Sequence, residues 1–464
     1  MIVDERSLKF VAEACGGELR RGAGATLVKN ICLDSRRAQP GDLFFAIRGE
    51  HHDGHDYLDD VAGKGVAAVV IERAKAQHAK SQPGCGVIVV EDTRAALGKL
   101  AAAYRQDFSL PIVCVGGSNG KTTTKELLGS VLGKKFSIVC SEASFNNDIG
   151  VPLTLLRIGS AHEAAVLEAG TNHPGELAPL VKMVRPKFGV ITNIGREHLE
   201  FFKDVAGVAR EEGWLAELLP ADGTLFVNGD NEWTPVLVKR TQAKVVRVGL
   251  GEQNDWRAEK IRLDKNGATF RLRAPKEEFC GEYRLNLLGR HQVVNALFAA
   301  AVSEELGLGC PALRDGLADC KPPKMRMNFW EANGVRVLDD AYNANADSTI
   351  AALETLCDLP LQGRRVAVLG DMEELGVHSE AAHAEVGRKA AELKIGQLFA
   401  VGKMAPAIGN AARSAGLTRV IEFANVDSAI KAVKNFLKAG DVVLLKASRA
   451  SRLERIAETL RSEK

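Results

Sequence analysis

The residues best placed to do chemistry form a glycine-rich turn, Val115-Gly-Gly-Ser-Asn-Gly-Lys-Thr-Thr-Thr124, between an apolar run and a segment of helical period. Glycines let a backbone bend around phosphate oxygens, and N–H groups at a helix start donate to them. Lys121 would reach terminal phosphates and Thr122 could ligate magnesium. The full consensus has a glycine where this chain has Val115, so the turn is a shortened P-loop with Gly117 four residues before the lysine. An incidental glycine turn is the alternative.

The elements around this turn occur in the order that a phosphate site needs. The run Ile112-Val-Cys-Val115 predicts a buried strand before the turn. Apolar residues at helical spacing predict a helix after it, and they are Leu127, Leu128, Val131 and Leu132. The strand, turn and helix together favour phosphate binding over an incidental turn.

Two further candidates follow apolar runs. Glu168 ends the run Ala164–Leu167, and His198 comes shortly after the run Gly189–Thr192. In open parallel sheets, ligands bind at the carboxyl edge of the strands, so both side chains are expected at that edge. Each, taken alone, would be a solvated loop residue.

Glu212 interrupts the apolar face of a predicted helix. At about 100° per residue it lies in the middle of the face formed by Val205, Val208, Ala209, Leu215, Ala216 and Leu219. An inward carboxylate is costly unless it is paired or bound to a metal. The alternative is a surface glutamate on a face whose phase is misjudged.

The bulk composition excludes several classes of protein. With 464 residues, 46% hydrophobic and 26% charged, the chain predicts a globular protein of about three domains. A net charge of +2 gives no broad basic field, so we expect no nucleic-acid partner. No apolar run approaches a membrane span and the N-terminus lacks a signal-peptide pattern, so we expect no membrane association and a cytoplasmic location. The nine cysteines are scattered without a C-x-x-C pair, which argues against a disulfide framework or a zinc site.

The fold class predicted from patterning is α/β with three domains. Residues 1–108 would form a small α/β domain, and residues 109–321 a central P-loop domain with a mainly parallel sheet. The prolines of Lys321–Lys324 mark a linker. Residues 322–464 alternate strand runs with helical stretches, which predicts a Rossmann-like domain. Its strand runs are Val335–Asp339, Arg365–Leu369, Leu398–Gly402, Val420–Phe423 and Val442–Leu445.

The segment Gly-Ser-Asn-Gly-Lys-Thr-Thr resembles the shortened P-loop of the Mur ligases and the related folylpolyglutamate synthases. Glu168–Glu176 and Thr192–Glu200 are similar to the two metal-binding motifs of that family. The resemblance implies ATP and Mg²⁺ as cofactors. It also implies a ligase that phosphorylates a carboxylate and lets an amine attack the acyl phosphate, by positioning and charge neutralisation.

Roles for individual residues follow from this resemblance. The catalytic candidates are Lys121, Glu168, His198, Glu212 and Arg326. The ATP-binding candidates are Gly117, Ser118, Asn119, Gly120, Lys121, Thr122, Thr123, His291, Asn295, Arg326 and Asp340, and the metal candidates are Thr122, Glu168, His198 and Glu212. Without the family context, His291 would be an incidental histidine at a helix start, and Arg326 and Asp340 surface residues.

Glu212 departs from the family pattern. The matching helix position is commonly a lysine whose carbamylated amine helps to hold the second magnesium. We expect Glu212 to supply directly the negative oxygen that the carbamate supplies elsewhere.

The two ends of the chain resemble the branch of the family that adds D-alanyl-D-alanine. The carrying segments are Leu338–Ser348, Val368–Gly376 and Leu445–Arg449, where Ala447 replaces the usual glycine, together with Leu33–Arg36 and Pro40–Gly49. The tetrapeptide Asp-Asn-Pro-Arg, usual in the branch that adds the third amino acid, does not occur. The resemblance implies UDP-N-acetylmuramoyl-tripeptide and D-alanyl-D-alanine as substrates of a monomer. Substrate-binding candidates are Ser35, Arg36, Asn146, Asn147, His173, Tyr342, Asn343 and Asn345.

The sequence patterns also fit several other structures and functions. The Asp-Ser-Arg turn at Ser35 and Arg36 could be purely structural, because aspartate and serine are common turn formers. The chain could be another Mur ligase that adds a single amino acid. It could also be a P-loop ATPase that drives a conformational change, or a nucleotide-binding regulator without catalysis.

Overall fold

A computed structural model describes residues 4–79 and 84–461 of the chain. The chain divides into two compact units. The first unit comprises Met1–Val115, Phe136–Thr171 and Gly175–Phe188, and the second comprises Gly116–Lys135, Asn172–Pro174 and Gly189–Lys464. No helix among the described residues is both long and apolar enough to cross a bilayer.

Strands and helices alternate along most of the chain. The strands are β1 (Arg6–Ser7), β2 (Glu18–Arg21), β3 (Leu27–Val28), β4 (Asn30–Cys32), β5 (Asp42–Phe45), β6 (Ala68–Glu72), β7 (Gly86–Val90), β8 (Ile112–Gly116), β9 (Ile138–Cys140), β10 (Ala164–Glu168), β11 (Phe188–Ile191), β12 (Thr224–Asn228), β13 (Lys244–Gly249), β14 (Trp256–Asp264), β15 (Gly267–Arg273), β16 (Gly281–Leu285), β17 (Asn328–Ala332), β18 (Val335–Asp340), β19 (Arg365–Gly370), β20 (Gln397–Val401), β21 (Val420–Phe423) and β22 (Val442–Lys446). The helices are α1 (Leu8–Cys15), α2 (Leu58–Gly63), α3 (Thr93–Arg105), α4 (Lys121–Leu132), α5 (Gly150–Leu155), α6 (Leu177–Val184), α7 (Leu199–Phe202), α8 (Val205–Glu217), α9 (Thr234–Val238), α10 (Arg290–Glu305), α11 (Cys310–Asp319), α12 (Ala346–Asp358), α13 (Ser379–Glu392), α14 (Ala405–Ser414), α15 (Val426–Phe436) and α16 (Glu454–Arg461).

In the first unit, one sheet has the strand order β2-β7-β6-β5-β4. Strands β4 to β7 are parallel to their neighbours, and β2 is antiparallel to β7. The β7 strand is buried at every position, as expected for a parallel strand covered on both faces. This sheet confirms the α/β character predicted for the N-terminal region.

The same unit contains three parallel strands in the order β8-β10-β9. Glu168 is the last residue of β10 and lies in register with Val115 of β8. The Glu168 side chain therefore emerges at the carboxyl end of a parallel strand, as its position after an apolar run predicted.

In the second unit, α4 begins at Lys121, directly after Gly120, whose φ is +87°. The predicted apolar stripe of this helix is confirmed, since Leu127, Leu128, Val131 and Leu132 are all fully buried. Helices α10 and α11 pack against α4. The helix that begins with the candidate lysine is therefore fixed by two neighbouring helices.

Strands β12 and β13 of this unit are parallel, but β14, β15 and β16 pair antiparallel. This antiparallel extension was not predicted from the sequence. Its signal is the alternation of polar and apolar residues along β14, Trp256-Arg-Ala-Glu-Lys-Ile-Arg-Leu-Asp264, which is typical of a sheet with one solvated face.

A six-stranded sheet of the second unit has the order β17-β18-β22-β19-β20-β21. Strands β18 to β22 are parallel and coincide within two residues with the five predicted runs, so the Rossmann-like pattern is confirmed. The antiparallel edge strand β17 was not predicted. The linker segment Lys321–Lys324 has neither helix nor strand, as its prolines indicated.

Candidate active site

The P-loop is tied to the segment that follows β11. The Ser118 N–H donates to the Asn193 carbonyl at 2.9 Å, and the Asn119 N–H donates to Asn193 Oδ1 at 3.0 Å. The Gly195 N–H donates to Ser118 Oγ at 2.9 Å. These bonds fix the loop against a second motif of the sequence, so the two motifs form one site.

Two P-loop glycines are required by close approach. Gly117 has φ +105°, and a Cβ there would lie 2.4 Å from Thr192 Oγ1. Gly120 has φ +87°, and a Cβ there would lie 2.6 Å from Asn295 Oδ1. Only glycine fits both the backbone conformation and the space at these positions.

Lys121 is held by the loop that precedes it. Its Nζ donates to the Gly117 carbonyl at 2.5 Å and to the Ser118 carbonyl at 3.3 Å. It also forms an ion pair with Glu197 Oε2 at 3.3 Å. Thr122 is buried with Thr123 in the first turn of α4. The ammonium group is thus fixed at the helix start, where a phosphate would bind.

Glu212 is fully buried, so the alternative of a misphased surface glutamate is wrong. Its Oε2 accepts a hydrogen bond of 2.6 Å from the Gly117 N–H, and its Oε1 has no hydrogen-bond partner. Burial raises the pKa of Glu212 to about 8; the Lys121 ammonium works against this shift, and the Glu197 carboxylate adds to it. The carboxyl group therefore lies beside the P-loop lysine in a position that favours a second cation.

Carboxylate oxygens without partners indicate how a divalent cation could be held. Around Lys121 they are Glu212 Oε1 and Glu197 Oε1, both buried. Oxygen donors of this kind suit Mg²⁺, which usually takes one or two carboxylates and completes its shell with water and phosphate oxygens. The donor set fits magnesium bound together with a nucleotide.

His198 precedes α7 in a left-handed conformation, with φ +49°. Its Nδ1 makes a close hydrogen bond with Glu374 Oε2, and its Nε2 lies 3.9 Å from Glu197 Oε2. The bond to His198 lowers the pKa of Glu374. Neither glutamate was a candidate from the sequence. The imidazole is thus held on one nitrogen, while its other nitrogen faces the carboxylate paired with Lys121.

In the first unit, Glu168 is buried and bound by its neighbours. Its Oε1 accepts from Asn146 Nδ2 at 2.8 Å, and its N–H donates to Ser141 Oγ at 3.1 Å. Its Oε2 has no partner. Asn147 Oδ1 accepts the N–H groups of Ile149 and Gly150, at the start of α5. Glu168 therefore also presents an uncommitted oxygen of the kind that a cation requires.

Comparison with known proteins extends over the whole chain. The Mur ligase family catalytic domain matches residues 27–105, the Mur ligase middle domain residues 115–303, and the Mur ligase glutamate ligase domain residues 325–449. The UDP-N-acetylmuramoyl-tripeptide--D-alanyl-D-alanine ligase of Escherichia coli strain K12 is 36% identical, with 98% of each chain covered. This chain belongs to the Mur ligase family.

Solved structures of Mur ligases agree with this assignment. MurF of Acinetobacter baumannii matches with a TM-score of 0.91 and 31% identity, covering all of both chains. MurF ligase of Thermotoga maritima in complex with ADP matches with a TM-score of 0.81 and 28% identity, covering 93% of this chain and 96% of that one. The predicted fold class is confirmed.

Two of the ATP-binding candidates, His291 and Asn295, lie at the start of α10. Asn295 is buried, donates to Gln292 Oε1 at 2.8 Å and abuts Gly120 of the P-loop. Desolvation lowers the pKa of His291 to about 4, although the Asp340 carboxylate works against it. A Cβ at Gly289 would lie 2.5 Å from His291 Cε1. The α10 start is thus packed directly onto the nucleotide loop.

Arg326 and Asp340 lie at the beginning of the last matched domain. The Arg326 guanidinium is 4.1 Å from the centroid of the Tyr342 ring. Asp340 accepts the Met327 N–H at 3.0 Å and forms an ion pair of 2.7 Å with Lys446. Lys446 is almost fully buried and was not a candidate from the sequence. Its signal in the sequence is its place in the Leu445–Arg449 segment.

The remaining substrate-binding candidates differ in their burial and in the contacts that their side chains make. Ser35 is buried, and the Arg36 side chain is exposed and paired with Asp34 of the same turn. The His173 ring lies 4.1 Å from the Phe201 ring, centroid to centroid. In the second unit, the Asn343 carbonyl accepts from Lys446 Nζ at 2.8 Å, and the Asn345 side chain caps α12 and donates to Asn119 Oδ1 at 2.9 Å.

Arg196 is a further residue that the sequence patterns did not single out. Its guanidinium donates to Asp347 Oδ1 at 2.9 and 2.6 Å and to Glu385 Oε2 at 2.5 Å. Partial burial lowers its pKa, but the bonds to Glu385 and Asp347 outweigh this and raise it above the ordinary value. Arg196 thus links the Thr192–Glu200 segment to the start of α12 and to the middle of α13.

Proposed function

We propose that this chain is an ATP-dependent ligase that adds D-alanyl-D-alanine to UDP-N-acetylmuramoyl-tripeptide, in the synthesis of the peptidoglycan precursor. The observation that carries the proposal is the full-length similarity to ligases of that name combined with a P-loop lysine set beside buried carboxylates. A P-loop protein that only hydrolyses ATP would not need the three matched Mur ligase domains.

The reaction proceeds in two transfers. The terminal carboxylate of the tripeptide attacks the γ-phosphorus of ATP, so that ADP leaves and an acyl phosphate forms. The amine of the dipeptide then attacks the acyl carbon, loses its proton and expels inorganic phosphate. Little covalent chemistry is asked of the protein, so catalysis rests on positioning and on neutralising phosphoryl charge.

Lys121 is the main neutralising group. It leaves Glu197 and the loop carbonyls to contact the outer phosphates, while the N–H groups at the start of α4 donate to phosphate oxygens. Asn295, His291 and Asp340 contact the nucleoside, and Arg326 the γ-phosphate, where its fixed fork of donors suits phosphate.

Magnesium would be held by Thr122, Glu168, His198 and Glu212. The buried oxygens Glu168 Oε2 and Glu212 Oε1 have no hydrogen-bond partner and could ligate a cation. His198 bonds to Glu374 through Nδ1, which leaves Nε2 on the other side of the ring. When bound, the metal supplies positive charge at the oxygens of the transferred phosphoryl group.

The domains share the substrates among them. Residues 1–108 bind the UDP-linked precursor through Ser35 and Arg36, with Asn146, Asn147 and His173 contributing from residues 109–321. Residues 322–464 bind the dipeptide through Tyr342, Asn343 and Asn345. The protein acts as a monomer in the cytoplasm, where its nine free cysteines fit a reducing compartment.

The test is product identification with defined substrates. Purified protein is incubated with ATP and Mg²⁺, either with UDP-N-acetylmuramoyl-tripeptide and D-alanyl-D-alanine, or with the corresponding dipeptide precursor and meso-diaminopimelate or lysine. ADP release that depends on the dipeptide, with a product mass equal to the tripeptide precursor plus the dipeptide less water, is expected. Release with a single amino acid instead would identify another Mur ligase, and ATP turnover without any amine would favour a motor-like ATPase. Lys121→Ala abolishes ligation if the lysine is catalytic.

A further inference from the structure

The imidazole of His198 forms a hydrogen bond with a residue that is far away in the sequence. Its Nδ1 makes a close hydrogen bond with Glu374 Oε2, across a separation of 176 residues. We propose that Glu374 is a positioning residue that fixes the orientation and the tautomer of His198, so that Nε2 is the nitrogen offered to magnesium. This inference rests on the proposed function and deepens its metal site.

The chemistry of the pair sets the tautomer. A carboxylate only accepts hydrogen bonds, so His198 Nδ1 carries the proton that it donates to Glu374. In the neutral ring, Nε2 then holds the lone pair, and a lone pair is what a metal requires. Nε2 also faces the carboxylate side of the site, 3.9 Å from Glu197 Oε2.

The ring is further confined by packing. The His198 side chain is largely buried, and its ring lies edge-on to that of Phe202, with centroids 6.4 Å apart. Glu374 is more exposed than its partner and reaches the imidazole from outside. The ring therefore cannot turn without losing both contacts.

The loop that carries Glu374 is itself immobilised by its neighbours. The Met372 N–H donates to His383 Nε2 at 2.8 Å, and the Glu373 N–H donates to Ser448 Oγ at 2.9 Å. The Glu374 carbonyl accepts the Glu200 N–H at 3.0 Å. These three hydrogen bonds hold the backbone of the loop, and so they fix the position from which the Glu374 carboxylate reaches His198.

Both partners adopt an unfavourable backbone conformation. Glu374 has φ +60° and His198 has φ +49°, and neither is glycine. Such conformations persist only where the surroundings determine them, and they cluster at functional sites. The strain on both sides of one hydrogen bond favours a functional pair over an incidental surface contact.

The pair also joins two of the matched domains. His198 belongs to the segment that matches the Mur ligase middle domain, and Glu374 to the segment that matches the glutamate ligase domain. Both lie in the second compact unit. The metal ligand is therefore oriented only when the 370–376 loop rests against the start of α7, which makes metal binding depend on that docking.

The experiment measures metal affinity directly. Mn²⁺ serves as the spectroscopic probe in the presence of ADP, and the signal of free Mn²⁺ in electron paramagnetic resonance gives the bound fraction without any turnover. Glu374→Gln, which keeps the shape and removes the charge, is expected to weaken Mn²⁺ binding by about 10- to 100-fold. Glu373→Gln, at the exposed neighbouring glutamate, is the matched control and is expected to bind Mn²⁺ as the unchanged protein does.

A double-mutant cycle separates positioning from a merely structural effect. In a His198→Ala background, Glu374→Gln should weaken Mn²⁺ binding no further, because Glu374 acts through the imidazole. An equal loss in both backgrounds, or unchanged affinity in Glu374→Gln, overturns the proposal. If Glu374→Gln does not fold by circular dichroism, the same cycle with Glu374→Asp decides, since the shorter carboxylate loses reach but keeps its charge.

Product formation and Mn²⁺ affinity test the reaction and the role of Glu374 separately. If the unchanged protein makes the expected product while Glu374→Gln keeps full Mn²⁺ affinity, the positioning proposal is wrong and the proposed function stands. If no product forms but the cycle shows the expected coupling, the proposed reaction is wrong and the pair still orients a metal-binding histidine.

Discussion

The backbone N–H of Gly117 donates a 2.6 Å hydrogen bond to Glu212 Oε2. A P-loop donor is thus bonded to a fully buried carboxylate that stands on a different element, α8. The other oxygen of that carboxylate has no hydrogen-bond partner. A buried carboxylate in this state is costly unless a cation completes it, so the bond ties the P-loop to the cation site that we propose at Glu212.

Replacement of Glu212 by alanine should cut the turnover number by about 100-fold or more, because the lost carboxylate would otherwise hold the metal that neutralises phosphoryl charge. The unchanged protein should show the same rate with and without added bicarbonate, since glutamate needs no carbamylation. Steady-state ADP release with both substrates measures this.

The matched control for that change is Glu217→Gln, in the same helix, whose half-exposed carboxylate forms an ion pair with Arg240. It should leave the rate nearly unchanged. A bicarbonate-dependent rate in the unchanged protein, or a Glu212→Ala rate equal to that of the control, would show that Glu212 does not replace a carbamate.

The stability of the metal-free, nucleotide-free protein should fall with rising pH because of Glu212. Burial raises the pKa of this group to about 8 in the folded state, well above its ordinary value of about 4.3. Between those values the folded protein holds a proton that the unfolded chain releases, so the free energy of unfolding decreases as pH rises, by roughly 1.4 kcal/mol per pH unit at most. Below this window the effect is absent, and above it the loss is complete.

Glu212→Gln cannot titrate and provides the comparison. Urea unfolding at several pH values from 5 to 8, with a chelator present, should show the variant gaining stability over the unchanged protein as pH increases. If the difference in the free energy of unfolding between the two proteins stays constant with pH, Glu212 is ionised throughout and its burial is compensated in another way.

The parts of the site that sequence could predict are local. The start of α4 at Lys121 follows from strand, glycine turn and apolar stripe, all within about 20 residues, because helix and strand periods act over short distances. The burial of Glu212 follows from the same periodicity on one helix. Each of these features is set by neighbours along the chain.

The parts that sequence could not predict are contacts between distant segments. Glu374 meets His198 over 176 residues, and Asn345 meets Asn119 over 226. Periodicity places each residue on its own element but does not choose its partner, which depends on how elements pack. Lys446 was missed for the same reason, since its pairing with Asp340 arises only when β18 lies beside β22.

Gly117→Ala should weaken ADP binding by about 10-fold or more, equivalent to about 1.4 kcal/mol. The new Cβ would lie 2.4 Å from Thr192 Oγ1, and φ of +105° disfavours any side chain. The loop must then shift, which misplaces its phosphate donors. Isothermal titration with ADP measures the loss.

Gly416→Ala separates the clash from the backbone effect. Gly416 has a similar φ of +97°, but a Cβ there meets no atom within 4 Å. This control should lose only stability, about 1 kcal/mol, and keep full ADP affinity. If Gly117→Ala also binds ADP normally, the close approach to Thr192 has no bearing on nucleotide binding.

Asp347→Asn should destabilise the protein by about 1 kcal/mol, because Arg196 loses a two-pronged, charge-assisted contact while the pair is still about one-third exposed to solvent. Urea unfolding measures the loss, and a cycle with Arg196→Met should show strong coupling between the two changes.

Asp148→Asn is the control, because its ion pair with Arg94 is more exposed and should contribute almost nothing. Additive effects of Asp347→Asn and Arg196→Met would show that Arg196 does not join the Thr192–Glu200 segment to α12. Persistence of the coupling at high salt would support it, since partly buried pairs are screened less than exposed ones.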